Sequence, residues 1–180
     1  ITFPERIEDM PTYMNFPGDG YHVSYGEGIY VGYRYYDKKK LRPRYPFGYG
    51  LSYTTFDCQL IDAVVDGDTI KVHTSVENTG KAAGSEVVQI YIHDPYSTLS
   101  KPEKELKAFE KVMLAPGEKK DVTFTITRSS LASYDMDLGQ FTVEEGYYDI
   151  LAATSSAAED VFGQTRVYLD VKSPYSYSVD

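Results

Sequence analysis

The chain has 180 residues, of which 42% are hydrophobic and 25% charged, and its formal net charge is −9. This composition is typical of a globular protein with one sizeable core and room for a second small unit. The negative charge argues against a nucleic-acid partner, and no apolar run is long enough for a membrane-spanning helix.

The first third of the chain, residues 1–54, shows little hydrophobic periodicity. Prolines interrupt it repeatedly, and residues 15–20 form a turn cluster rich in Gly, Asp and Asn. We predict a short helix within Ile29–Tyr36 and a solvated loop at Lys38–Lys40. About fifty residues this irregular cannot bury enough apolar surface alone. We therefore expect this segment to pack on something larger.

The opening residues, Ile1 to Pro11, have the features of neither a signal peptide nor a transit peptide. Ile1–Pro4 instead reads like the end of a buried strand. We expect the chain to be one piece of a larger polypeptide, and the alternative is a trimmed expression product. The single cysteine, Cys58, excludes an internal disulfide and is expected to act as a small hydrophobic residue at the start of a strand.

From Thr55 onward, short runs of alternating hydrophobicity are separated by turn residues. The first predicted strand is Phe56–Val65, followed by a hairpin turn at Asp66–Asp68. A loop is predicted at 97–103, a strand pair or irregular edge around 106–112, turns at 115–118 and 131–135, and a polar loop at 155–163. The remaining strands are predicted around 70–76, 88–92, 122–126, 141–143, 148–152 and 167–171.

This count of seven to eight short strands predicts a mainly β fold, an immunoglobulin-like or fibronectin type III-like sandwich. Each strand is expected to bury one face. The residues predicted to point inward are Ile70, Val72, Val76, Val88, Ile90, Ile92, Val122, Phe124, Ile126, Tyr148 and Ile150.

Two blocks of sequence are specific enough to indicate a family. Tyr25–Asp37 reads YGEGIYVGYRYYD and Tyr45–Phe56 reads YPFGYGLSYTTF. Together with Pro17-Gly18, they resemble the C-terminal part of glycoside hydrolase family 3, which includes β-glucosidases and β-xylosidases. Further stretches resemble the fibronectin type III-like domain that ends many of these enzymes: 76–80, 84–91, 106–109, 116–118 and 145–155.

This resemblance implies a division into three parts. Residues 1–54 would complete an α/β sandwich domain, 55–173 would form the fibronectin type III-like domain, and 174–180 would be a tail. The parent enzyme would be a retaining β-glucosidase, for which two carboxylates lie about 5 Å apart across the glycosidic bond. In the family those carboxylates come from earlier domains, and neither motif occurs in this sequence.

We therefore expect no catalytic, cofactor-binding or metal-binding residue in this chain, and a structural or site-shaping role for it. Its expected partners are the N-terminal catalytic domains, in the same or a separate chain, and the parent's β-glucoside substrate. The alternative is a stand-alone module that binds carbohydrate or protein.

Carboxylates that are close in sequence are read as solvated turns rather than catalytic pairs. They are Asp66/Asp68, Glu103/Glu105, Asp135/Asp137, Glu144/Glu145 and Glu159/Asp160. Asp135-Met136-Asp137 could touch a cation but lacks the ligand spacing of a calcium loop. His22, His73 and His93 have no metal-ligand spacing, and the last two are predicted to be surface residues.

Arg34 lies between Tyr33 and Tyr35, where stacking on the rings could give a rigid anchor. We predict that it ties its segment to the larger domain through a carboxylate or backbone carbonyls, in preference to a role at a sugar. Four tyrosines could either stack on a sugar or form aromatic pairs with residues of neighbouring strands, and the second role is favoured. They are Tyr91, Tyr96, Tyr147 and Tyr148.

Overall fold

A computed structural model describes residues 1–170 of the chain. Within them, one α-helix, α1, spans Tyr33–Lys39. The strands are β1 (Phe56–Asp66), β2 (Thr69–Asn78), β3 (Gly84–His93), β4 (Glu105–Leu114), β5 (Lys119–Thr127), β6 (Ser133–Asp135), β7 (Gln140–Thr142), β8 (Gly146–Ala153) and β9 (Val161–Leu169). None of the helices in these residues is both long and apolar enough to span a bilayer.

Two antiparallel sheets form the sandwich that the alternation predicted. One has the strand order β1-β2-β5 and the other β4-β3-β8-β9, while β6 and β7 form a separate hairpin. Every residue predicted to point inward is buried, and these side chains belong to one core cluster. Branched aliphatic residues dominate that cluster because they suit the pleated, half-buried surface of a strand.

The predicted hairpin between β1 and β2 is confirmed. Asp66 pairs with Thr69, so Gly67 and Asp68 alone make the turn. Gly67 has φ 57°, a left-handed conformation that two-residue hairpin turns require and glycine adopts at little cost. The turn fixes the register, which places Val72 and Val76 in the core.

The helix in the first segment is confirmed, but its predicted bounds were wrong. Gly32, with φ 55°, breaks the chain just before Tyr33, so the helix begins there and continues through Lys38 and Lys39. Those two lysines therefore lie in the last helical turn, not in a loop. Lys40 ends the helix in a left-handed conformation, and its N–H donates to the carbonyls of Tyr36 and Asp37.

The region predicted as a strand pair or irregular edge around 106–112 is one continuous strand, β4, at the edge of its sheet. The pattern misled because Phe109 points outward and is 68% exposed, which hides the alternation. A predicted turn and a predicted loop also contain strand residues, since β6 lies within 131–135 and β9 begins at Val161. The predicted end of the last strand at Val171 and the predicted tail lie outside the described residues.

Candidate functional site

The segment before the sandwich forms a third layer on the outer face of the four-stranded sheet. The ring of Tyr33 packs edge-on against Tyr91 of β3 at 5.6 Å between centroids. Its hydroxyl accepts a hydrogen bond from the backbone N–H of Leu106 at 2.9 Å. Further along, the N–H of Ser156 donates to the carbonyl of Phe47 at 2.8 Å. Strand β3 is therefore covered on both faces near Tyr91.

Gly48 shows how closely this layer approaches the sheet. Its φ is 89°, and a Cβ built there would lie 2.4 Å from Nε2 of Gln89. Any other residue would be strained and would push Gln89 away. Gln89 is buried beneath the layer, and its Nε2 donates to the carbonyl of Thr154 at 2.6 Å.

Two ion pairs join α1 to the start of β4. Nη2 of Arg34 lies 3.1 Å from Oε1 of Glu105, and Nζ of Lys104 lies 2.6 Å from Oδ2 of Asp37. Burial raises the pKa of Asp37 more than Lys104 lowers it. Of the two kinds of partner predicted for Arg34, a carboxylate or backbone carbonyls, the structure shows a carboxylate, and it belongs to the sandwich of this chain and not to the larger domain.

We expect Arg34→Met to lower the free energy of unfolding by about 0.5–1.5 kcal/mol, because a partly buried charged hydrogen bond is lost. The loss stays moderate because Glu105 keeps a second cation, Lys107, at 3.1 Å. Urea titration followed by circular dichroism measures the change. Lys39→Met, at an exposed position of the same helix, is the control and should change stability by less than about 0.5 kcal/mol. Equal effects for the two variants would contradict this role of Arg34.

A cleft of about 690 Å³ lies between the first segment and the loop after β8. Its walls include Tyr36, Tyr49 and Arg42 from the segment, and Glu159 and Asp160 from the loop. Each cleft carboxylate has a partner: Asp37 pairs with Lys104, Glu159 with Arg42, and Asp160 accepts from Ser155. This arrangement suits a contact surface better than acid–base chemistry.

Most of the carboxylates that are close to one another in sequence form ion pairs or accept hydrogen bonds within the chain. Asp66 pairs with Lys71, Asp68 with Arg128, and Asp135 accepts from the N–H groups of residues 137 and 138. Among residues 1–170, no group of three or more His, Cys, Asp or Glu side chains is arranged to hold a metal ion.

Glu144 contradicts the prediction of a solvated turn. It accepts hydrogen bonds from the hydroxyls of Ser97 and Thr98 and from the N–H of Thr98, and it lies 3.1 Å from Nζ of Lys101. Burial raises the pKa of Glu144, but these partners together outweigh burial and lower it to about 2. Glu144 thus fixes the loop between β3 and β4. No local sequence signal showed this, because its partners lie more than forty residues away.

The burial of individual side chains tests the predictions made for the tyrosines and histidines. Tyr91 and Tyr148 are buried, so they cannot stack on a sugar, whereas Tyr96 and Tyr147 are exposed. His73 lies 2.5 Å from Asp62 on the neighbouring strand, which fits a surface position. His93 is not a fully solvated surface residue, since its Nδ1 is buried without a hydrogen-bond partner among the described residues.

Cys58 lies in β1 and packs against the core, as predicted. Burial raises the pKa of its thiol to about 12, so the group stays protonated at neutral pH. It therefore acts as a small hydrophobic residue and not as a nucleophile.

The first segment is exposed on the side that faces away from the sandwich. Its buried hydrophobic side chain is Tyr36, while Met14, Tyr21 and Tyr25 are 87%, 93% and 90% exposed. Its other large exposed hydrophobic residues are Ile1, Phe3, Ile7, Met10, Tyr13, Phe16, Val23, Ile29, Val31, Tyr45, Tyr49, Leu51 and Tyr53. So many exposed apolar residues in one segment indicate an interaction surface.

Comparison with known proteins supports the resemblance seen in the sequence. The family profile of the fibronectin type III-like domain matches residues 86–156. The chain is 44% identical over 183 aligned residues to thermostable beta-glucosidase B of Acetivibrio thermocellus, covering 99% of this chain and 24% of the relative. It is 47% identical over 158 residues to the beta-glucosidase of Kluyveromyces marxianus, covering 87% of this chain and 19% of the relative.

Solved structures give the same result. The crystal structure of the Kluyveromyces marxianus beta-glucosidase in complex with glucose matches with a TM-score of 0.91 and 40% identity, over 98% of this chain and 21% of that one. The GH3 beta-glucosidase of Bifidobacterium adolescentis matches with a TM-score of 0.87 and 38% identity, over 94% of this chain and 25% of that one. The chain thus spans about a quarter or less of the length of these relatives.

Proposed function

Because this chain has the sequence and fold of the C-terminal part of a glycoside hydrolase family 3 β-glucosidase, we propose that it supports the catalytic domains of such an enzyme. Residues 1–54 complete the α/β sandwich domain, and residues 55–173 form the appended fibronectin type III-like domain. The whole enzyme removes terminal β-linked glucose with retention of configuration. The catalytic carboxylates and the sugar-binding residues lie in the upstream domains.

The observation that carries this proposal is the one-sided burial of the first segment. Its inner side is fixed to the sandwich by Tyr33, Arg34 and Asp37, while residues such as Met14, Tyr21 and Tyr25 extend into solvent. An apolar surface of this kind marks a place where another domain packs and removes it from water. About three quarters of the length of the matched relatives lies outside the part that this chain covers, which is enough for the domains that the proposal requires.

The test is an assay with an aryl β-glucoside on two preparations, this 180-residue chain alone and a polypeptide that also carries the upstream region. We expect hydrolysis only by the longer polypeptide, because retaining chemistry needs a nucleophile and an acid/base that the proposal places upstream. Proton NMR of the anomeric signal during turnover reports the stereochemistry. Hydrolysis by the short chain, or an inactive but folded long one, would refute the proposal.

The same preparations test the alternative of a stand-alone binding module. Tyr91 and Tyr148, two of the four tyrosines considered for a sugar-facing surface, are in the interior. A free module would also expose the apolar residues of the first segment permanently. Tight binding of a cello-oligosaccharide by the short chain in isothermal titration calorimetry would favour the module.

A further inference from the structure

Residues 49–53 link the first segment to the sandwich, and both ends of this link are fixed. At its start, the N–H of Tyr49 donates to the carbonyl of Pro46, and the Tyr49 ring lies 5.0 Å from that of Tyr45. At its end, Thr54 Oγ1 donates to Asn78 Oδ1 at 2.6 Å, and Thr79 N–H donates to the carbonyl of Thr55. Both ends of the link are therefore held by contacts within the chain.

The sandwich is shaped to receive the end of this link. Asn78 is fully buried, and its Nδ2 donates to the carbonyls of Ala82 and Leu114, so its side chain cannot turn away from Thr54. A Cβ at Gly80 would lie 2.1 Å from Oγ1 of Thr54. Only glycine allows this close approach of the two backbones.

The alternate residues of this link carry exposed side chains. Tyr49, Leu51 and Tyr53 are 49%, 91% and 103% exposed. Between them lie Gly50 and Ser52, so the five residues carry no charge in a chain whose net charge is −9. Large apolar side chains on a short uncharged link that is fixed at both ends have the properties of interface anchors, since the fixed ends reduce the conformational entropy lost on binding.

We propose that Tyr49, Leu51 and Tyr53 form an anchor row that inserts into apolar pockets on the upstream domains of the same polypeptide. This inference rests on the proposed function, in which those domains precede Ile1. The position of the first residues supports the upstream domains as the partner of the anchor row, because Phe3 pairs with Tyr45 through a backbone hydrogen bond of 2.9 Å. The upstream domains therefore reach this chain beside the anchor row.

Leu51→Ala tests the row, with Met136→Ala as the matched control. Met136 is 87% exposed and lies in the turn between β6 and β7, far along the chain from the link. Both variants are made in the 180-residue chain and in the longer polypeptide, and the thermal midpoint is measured by calorimetry. In the short chain neither should shift it by more than about 1 °C, because each side chain is in solvent.

In the longer polypeptide, Leu51→Ala should lower the thermal midpoint by about 2 °C or more, as expected for truncation of a buried leucine in a protein of that length, and Met136→Ala should not. Equal midpoints for the two long variants would overturn the anchor row, even if the long wild type hydrolyses the β-glucoside and the proposed function stands. A shift in the short chain would also overturn it, by showing that Leu51 packs on its own chain. If the short chain bound a cello-oligosaccharide and its Leu51→Ala variant did not, the anchor row would be a sugar-binding site and not a contact with the upstream domains.

Discussion

Tyr91→Ala is expected to lower the free energy of unfolding by about 3–5 kcal/mol, as for other buried aromatic truncations. The Tyr91 ring is fully buried between β3 and the layer formed by the first segment, edge-on to Tyr33. Its hydroxyl donates to Oε1 of Gln89 at 2.6 Å. The substitution would remove the ring that joins the layer to the sheet and leave Oε1 of Gln89 buried without that donor.

A smaller substitution separates the contribution of the Tyr91 ring to stability from that of its hydroxyl group. Tyr91→Phe keeps the ring and removes only the donor, so a loss of about 1–2 kcal/mol is expected. Tyr147→Ala is the control, since this tyrosine is 49% exposed on β8 and should cost less than about 1 kcal/mol.

Urea titrations of the short chain give all three values, and limited proteolysis shows whether residues 30–48 detach in Tyr91→Ala. If Tyr91→Ala cost no more than Tyr147→Ala, the first segment would not be packed on the sheet as described. Continued protection of residues 30–48 alongside a large loss of stability would place the effect in the sheet alone.

Tyr91 also shows which part of the fold could be predicted from the sequence. Alternation of residues such as Val88 and Ile90 correctly indicated the faces that meet between the two sheets, because that pattern is a local property of a strand. It could not show that the opposite face, with Gln89 and Tyr91, is covered as well. That depends on the first segment, whose contacts with β3 join residues more than forty positions apart.

The contacts of the candidate site could likewise be predicted only in part from the sequence. The chemistry of Arg34 indicated a carboxylate or backbone carbonyls as its partner, and only the folded chain identifies that partner as Glu105. The anchor row had no periodic signal, since Tyr49, Leu51 and Tyr53 lie in a block that reads as an irregular link. Their exposure becomes informative only when Asn78 and Gly80 are seen to hold Thr54 at the end of the link.

The second large effect is expected at Lys101, whose side chain is 8% exposed between two carboxylates. Its Nζ lies 2.6 Å from Asp94 and 3.1 Å from Glu144, and it sits over the ring of Tyr148. Lys101→Met keeps an unbranched side chain of similar length but removes the cation that lies between two partly buried carboxylates. We expect a loss of about 3–5 kcal/mol at pH 7, the usual cost of removing one member of a buried ion group.

The dependence of this loss on pH identifies its cause. In the wild type the pKa of Glu144 is lowered to about 2, so its contribution to stability is present above its unfolded-state pKa of about 4.3 and is lost as the pH falls toward 2. In Lys101→Met the loss of the cation is costly only while Glu144 is charged, and the hydrogen bonds from Ser97 and Thr98 still favour its charged form. The difference from the wild type should therefore shrink as the pH falls toward 2, because a protonated Glu144 no longer needs the cation.

Lys120→Met provides the matched control for this measurement. Lys120 forms an ion pair of 3.2 Å with Glu110 on the surface, where it is 51% exposed, so less than about 1 kcal/mol should be lost. Urea titrations of the three proteins at several pH values between 2 and 7 give the comparison. A loss in Lys101→Met that stays constant across this range would assign the effect to packing against Tyr148 and not to charge.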